Sequence, residues 1–217
     1  MCWSCNARPR DPRRPLVCLD EPERSGDSRR QFCKQLIGEA REVVPAQPGQ
    51  PERQDYEYIR HGMCSVFMAY SPLESWREVR VTGQRTARDY AHTIRWLCDG
   101  VYPQADKIVL VQDNLNTHTP ASLYEAFAPA EALRLKERIE WHYTPKHGSW
   151  LNMAEIEIGV AQRQCLSRRL AEKTQVEREL SQWSKARNAS LATTDWQFTT
   201  KDARIKLKRL YPSSTQE

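Results

Sequence analysis

Trp76 to Val81 (WREVRV) alternates polar and apolar residues at period two, and Tyr56 to Tyr70 (YEYIRHGMCSVFMAY) is crowded with aromatic and β-branched residues. Both patterns predict strands, with Ser71 to Ser75 as the hairpin turn between them. A short apolar run, Pro15 to Leu19 (PLVCL), stops abruptly at Asp20 and predicts a first buried strand. Lys107 to Gln112 (KIVLVQ), the most apolar run, predicts a strand at a sheet centre that ends at Asp113. Helical spacing appears over Thr86 to Leu97, where Thr86 is the expected cap and Ala87, Tyr90, Ile94 and Leu97 form one stripe. Thr119 before Pro120 predicts a capped helix to Phe127, followed by a helix from Pro129 to Arg138 and a strand from Ile139 to Tyr143. Ser149 is the expected cap of a long helix from Leu151 to Leu166, and Thr174 to Ala189 and Thr200 to Leu210 read as two further amphipathic helices.

Strands joined by a hairpin, then strands separated by helices, predict the α/β class: a mixed central sheet with helices packed over it. Residues 22–33 and 45–54, rich in charge, Pro and Gln, are expected as loops. The expected organisation is a flexible basic arm at 1–14, one α/β domain at 15–170, and a basic helical extension at 171–217 packed on the same domain.

A chain of 217 residues, 39% of them hydrophobic, has enough apolar side chains for one real core and suits one ordinary domain. No run approaches the ~18 apolar residues of a membrane helix, and the N-terminus has no signal-peptide apolar region, which makes the cytoplasm the expected compartment. The odd count of seven cysteines, scattered through apolar stretches, argues for reduced thiols. Cys2 and Cys5 form half of a zinc-site spacing, and no second close Cys or His pair completes it. Of the net charge of +5, residues 160–217 carry twelve Lys and Arg against six Asp and Glu, leaving +6 there and −1 elsewhere. Such a tail suits either a polyanion partner or a solvated helix face. Its candidate phosphate contacts are Arg163, Arg168, Arg169, Lys201, Arg204 and Lys208.

Three carboxylates stand where this layout puts chemistry: Asp20 after the first strand, Asp113 after the central strand, and Glu155 in the first turns of the helix after the last strand. Convergent carboxylates repel one another, a cost that a hard, oxygen-seeking cation such as Mg²⁺ or Mn²⁺ relieves. Each also has a plainer role: Asp20 as a turn cap, Asp113 in an Asx-turn before Asn114, Glu155 as a surface residue. His118 could touch a phosphate, steady Asp113 through a hydrogen bond, or be an ordinary loop residue. The stretch Tyr143 to Trp150, with Lys146 and His147, suits a loop against sugar and phosphate, or a Pro-Gly turn with a buried Trp. Glu155 and Glu157 point about 200° apart on one helix, so only one can face a metal. Glu155 shares its face with Asn152, Ile158 and Gly159, the last expected to admit a neighbouring backbone. Glu157 lies on an otherwise apolar face and is expected to be structural.

At Val17-Cys18-Leu19-Asp20-Glu21, Val111-Gln112-Asp113-Asn114-Leu115-Asn116-Thr117-His118 and Tyr143-Thr144-Pro145-Lys146-His147-Gly148-Ser149-Trp150-Leu151-Asn152-Met153-Ala154-Glu155, the chain resembles bacterial insertion-sequence transposases of the mariner-related DDE superfamily. The resemblance runs from about Pro15 to Pro212. It implies an RNase H-like fold, with helices on both faces of the sheet. It also implies two divalent ions, Mg²⁺ or Mn²⁺, held by Asp20, Asp113 and Glu155, with Asn114, His118 and Asn152 in support. The activity implied is metal-dependent cleavage at transposon ends and strand transfer into target DNA; a remnant that binds DNA without cutting it is the alternative. Implied partners are transposon-end and target DNA, with a homodimer and a separately encoded N-terminal DNA-binding half as further expectations. Relatives carry helix-turn-helix domains ahead of the first strand and run almost directly from the Asp20-Glu21 equivalent into that of Lys34 to Glu39; here about a dozen residues intervene.

Overall fold

The computed structural model describes residues 11–20, 33–42, 46–50, 55–144, 151–195, 199, 202 and 204–205, and of Asp20 the backbone alone. The two most apolar short runs become neighbouring strands: β1 (Leu16–Asp20) lies parallel to β5 (Ile108–Gln112), and β5 lies parallel to β6 (Ile139–Tyr143). On its other edge β1 pairs antiparallel with β3 (Tyr58–Ser71), which turns through 72–75 into β4 (Trp76–Thr82). Both edges of β1 are therefore occupied, and its residues are apolar on both faces because a core lies on each side of it.

Side chains alternate across this sheet. Val17, Leu19, Phe67, Ile108 and Leu110 face one core with α1 (Ala87–Trp96), α2 (Ala121–Ala126) and α3 (Pro129–Arg138). Cys18, Val66, Met68 and Tyr70 face a second core with α4 (Met153–Gln164) and α5 (Lys173–Ala189). At roughly 1.5–3 kcal/mol per fully buried large apolar side chain, each layer holds its helices firmly. Helices cover both faces of a mixed sheet, as expected from the sequence. No helix among the described residues is long and apolar enough to cross a membrane.

Local signals explain most boundaries. Thr86 caps α1 in a reciprocal box with Asp89, and a π-helical turn at 97–101 closes with the Tyr102 amide on the Leu97 carbonyl at 2.9 Å. Other boundaries differ from the sequence reading. No side chain caps α2, which opens at Ala121 behind Pro120. Asn152 caps α4; the expected cap, Ser149, lies outside the described residues, as do Cys2, Cys5, Lys146, His147, Thr200, Lys201 and Lys208. Near the C-terminus Thr199 and Asp202 exchange hydrogen bonds in a reciprocal cap.

The largest difference is β2 (Cys33–Glu39), a strand that the charge and turn residues around it conceal. It pairs antiparallel with the first half of β3, on the edge opposite β4, which is the edge that β1 occupies further along. β1 and β2 are thus two pieces of one strand line, interrupted after Asp20. Along β3 the partner moves by three residues, from Met68 to Ser65, while the chain moves by thirteen, from Asp20 to Cys33. Further along the ladder, β3 carries an extra residue between Met63 and Arg60, where Gly62 takes φ +98, a left-handed conformation that glycine adopts without strain.

Candidate active site

The β1–β5 ladder pairs Leu16 with Val109 and closes with Leu19 opposite Gln112. Asp20 and Asp113 each follow that last pair by one residue, on adjacent parallel strands at the carboxyl edge of the sheet. Ligands of open α/β sheets bind at this edge.

Asn152 anchors the start of α4 beside it. Its Oδ1 accepts the Ala154 amide at 3.1 Å, capping α4, and its Nδ2 donates to the Leu19 carbonyl at 2.9 Å. One buried amide therefore starts the helix and fixes its start to the residue before Asp20. Glu155, in that first turn, is half-buried with its Oε2 carboxylate oxygen buried, and the positive end of the α4 dipole favours its charge. At Gly159 the nearest atom to an added Cβ would be the Arg163 guanidinium of the same helix, so no neighbouring backbone uses the space expected there.

Asp113 is 6% exposed and its Oδ1 lies 2.5 Å from Nδ1 of fully buried His118. An ionised carboxylate only accepts, so Nδ1 carries the proton. The His118 ring stacks on Tyr90 at 4.6 Å and 21°. The Tyr90 hydroxyl donates to Gln112 Oε1 at 2.5 Å, and Gln112 Nε2 donates to the His118 carbonyl at 2.7 Å. Burial pushes the Tyr90 hydroxyl well above its ordinary value, with Tyr143 and Asp113 adding to the effect, so it remains a donor. The loop from Asp113 to His118 is held at both ends by this chain of bonds, while Asn114 is exposed.

Sequence reasoning missed Tyr90 and Gln112 as members of the site. Their signal was a Gln ending an otherwise apolar strand and a Tyr on an inward helix stripe, each of which needs a polar partner once buried.

Glu157 is 1% exposed and structural. Arg77, itself fully buried on β4, lies 3.1 Å from it, and Arg187 of α5 makes two bonds to it at 2.9 and 3.2 Å. Asn188 closes the cluster by accepting from the Arg77 amide and donating to its carbonyl.

Among the candidate DNA contacts, Arg163 and Arg204 are exposed. Arg168 pairs with Glu179 at 2.6 Å, and Arg169 binds Glu39 and the backbone carbonyls of Asp55 and Glu57. No group of three His, Cys, Asp or Glu suited to a metal occurs among the described residues, which exclude the Asp20 side chain.

The family model of the DDE superfamily endonucleases matches residues 15–177, which includes both strand-end aspartates and the helix of Glu155. The chain belongs to the DDE superfamily of endonucleases. No curated protein matches it. Among solved structures the DDE chain is similar to the crystal structure of the Mos1 strand transfer complex, at a TM-score of 0.42 and 16% identity, over 79% of this chain and 47% of that one. The DDE chain thus spans about half the length of that protein.

Proposed function

We propose that this DDE endonuclease chain is the catalytic domain of a transposase, cutting DNA at transposon ends and joining the freed 3′ hydroxyl to target DNA. The carrying observation is the ladder that ends at Leu19 and Gln112, with Asp20 and Asp113 next in line and Asn152 tying the helix of Glu155 to Leu19. Asp20, Asp113 and Glu155 are the residues that would hold two divalent ions, Mg²⁺ or Mn²⁺. The donor set fits such ions: all three are carboxylates, the choice of hard cations, and Asp113 is oriented by a histidine behind it. Bound there, the ions supply activation of the attacking oxygen and stabilisation of the leaving oxygen in an in-line phosphoryl transfer. The chain's own contribution is orientation. His118 fixes the Asp113 carboxylate, Asn152 fixes the first turn of α4, and the exposed Arg163 and Arg204, with Lys146, His147, Lys201 and Lys208, meet phosphates. Arg168 and Arg169 must give up part of their ion pairs to join them.

Nicking of supercoiled plasmid with and without Mg²⁺ tests the reading. Asp113→Asn keeps the shape and removes the charge, and is expected to abolish Mg²⁺-dependent nicking with an unchanged melting temperature. Equal nicking by wild type and variant would sink the assignment. Binding of DNA without any nicking by wild type would favour a non-cutting remnant.

A further inference from the structure

Away from the acidic edge, on the α1 face of the sheet, an open cleft of about 270 Å³ is lined by Arg80, His92, Arg95, Trp96 and Asp99. Its charge is not balanced. Asp99 is already engaged by Arg134 through two bonds at 2.8 and 2.9 Å, whereas neither Arg80 nor Arg95 has a carboxylate within 4.0 Å among the described residues. Both guanidinium groups are nonetheless held in place. Arg80 donates to the His92 carbonyl at 3.1 Å and lies over the Trp96 ring at 5.5 Å, and Arg95 lies over the Phe127 ring at 4.8 Å. Exposed Arg88, one turn before His92, extends the same basic face of α1.

The sheet register connects this cleft to the acidic edge. Arg80 on β4 pairs with Phe67 on β3, one residue from Met68, the partner of Asp20. Phe67 and Met68 face opposite cores, so the cleft lies on the other face of the sheet from Met68, two strand spacings from Asp20, roughly 10 Å along the sheet. Asp89 attracts Arg80, and Asp99 and Glu131 attract Arg95, but none forms a direct ion pair with them. Guanidinium groups held in place this way suit phosphate oxygens, which they bind at low ordering cost.

We propose that the Arg80–Arg95 cleft binds the phosphodiester backbone of duplex DNA, as a site separate from the carboxylate cluster and from the basic C-terminal segment. The inference rests on the endonuclease reading above. The cleft reads no bases; it fixes how the duplex lies across the α1 face while the acidic edge acts.

The test is the salt dependence of binding to a duplex of arbitrary sequence, using the full chain and the variant Arg80→Gln/Arg95→Gln. Each lost phosphate contact removes about 0.9 from the slope of log affinity against log salt, so the double variant is expected to be shallower by roughly 1.8. Arg95→Gln alone, at an exposed helix position, is expected to give about half that change and guards against misfolding of the double variant. A steep wild-type slope that neither variant alters overturns the cleft and leaves the endonuclease reading standing. If wild type binds duplex without any salt dependence, and does not nick with Mg²⁺, both fall together.

Discussion

Two glutamates two positions apart have opposite fates, and the difference lies in what surrounds each carboxylate. Glu157 is enclosed by Arg77 and Arg187, so removing its charge leaves guanidinium groups buried without compensation. Glu157→Gln is expected to cost about 3–5 kcal/mol of stability, read as a large fall in melting temperature. Glu155→Gln should melt close to wild type yet lose Mg²⁺-dependent nicking, and the reverse pattern would exchange the two roles. Behind Asp113, His118 supplies a proton donor that no hydrocarbon ring can replace. His118→Phe keeps a ring against Tyr90 and removes the bond. It is expected to weaken Mn²⁺ binding by about 10–100-fold in titration calorimetry, in line with other outer-shell partners of metal ligands. Unchanged Mn²⁺ affinity would reduce His118 to packing.

Among the elements, those legible in the sequence were those whose pattern is local. β1 and β5 are short apolar runs with abrupt polar ends, β6 alternates apolar and polar residues, and α1 has a stripe and a capping box within twelve residues. β2 was not legible, because Cys33 to Glu39 owes its strand state to pairing with β3 rather than to alternation of its own. The acidic positions could be singled out because each stands at an element end. The partners of Glu157 could not, since Arg77 and Arg187 come from distant segments and look like any surface arginine until packed. Asn152 shows how one residue joins both kinds of information, capping a helix locally and reaching β1 at long range. Asn152→Ala is expected to cost about 1 kcal/mol as a lost cap. The loss of nicking should exceed what that destabilisation explains, because Glu155 is no longer tied to Leu19; nicking that only tracks the melting shift would make Asn152 a cap alone.

For the molecule as a whole, the interrupted strand line of β1 and β2 means that ten residues of chain are not needed by the ladder between Asp20 and Cys33. Excising residues 23–32 should change stability by less than about 1 kcal/mol, since loop-closure cost depends only weakly on length. Loss of folding in that deletion would show that the inserted stretch is integral to the sheet. The parallel pairing of β1 with β5 has a consequence in time as well as in space. Val109 leaves the ribosome 93 residues after its partner Leu16, a delay of roughly 5–19 s at about 5–20 residues per second. During synthesis β3 arrives first and covers one edge of β1, while the other edge waits with its hydrogen-bonding groups open. The edge beside which Asp113 will stand is thus the last side of the central strand to close, and a nascent chain stalled before β5 presents an apolar strand edge to chaperones or to other nascent copies instead of a nuclease site.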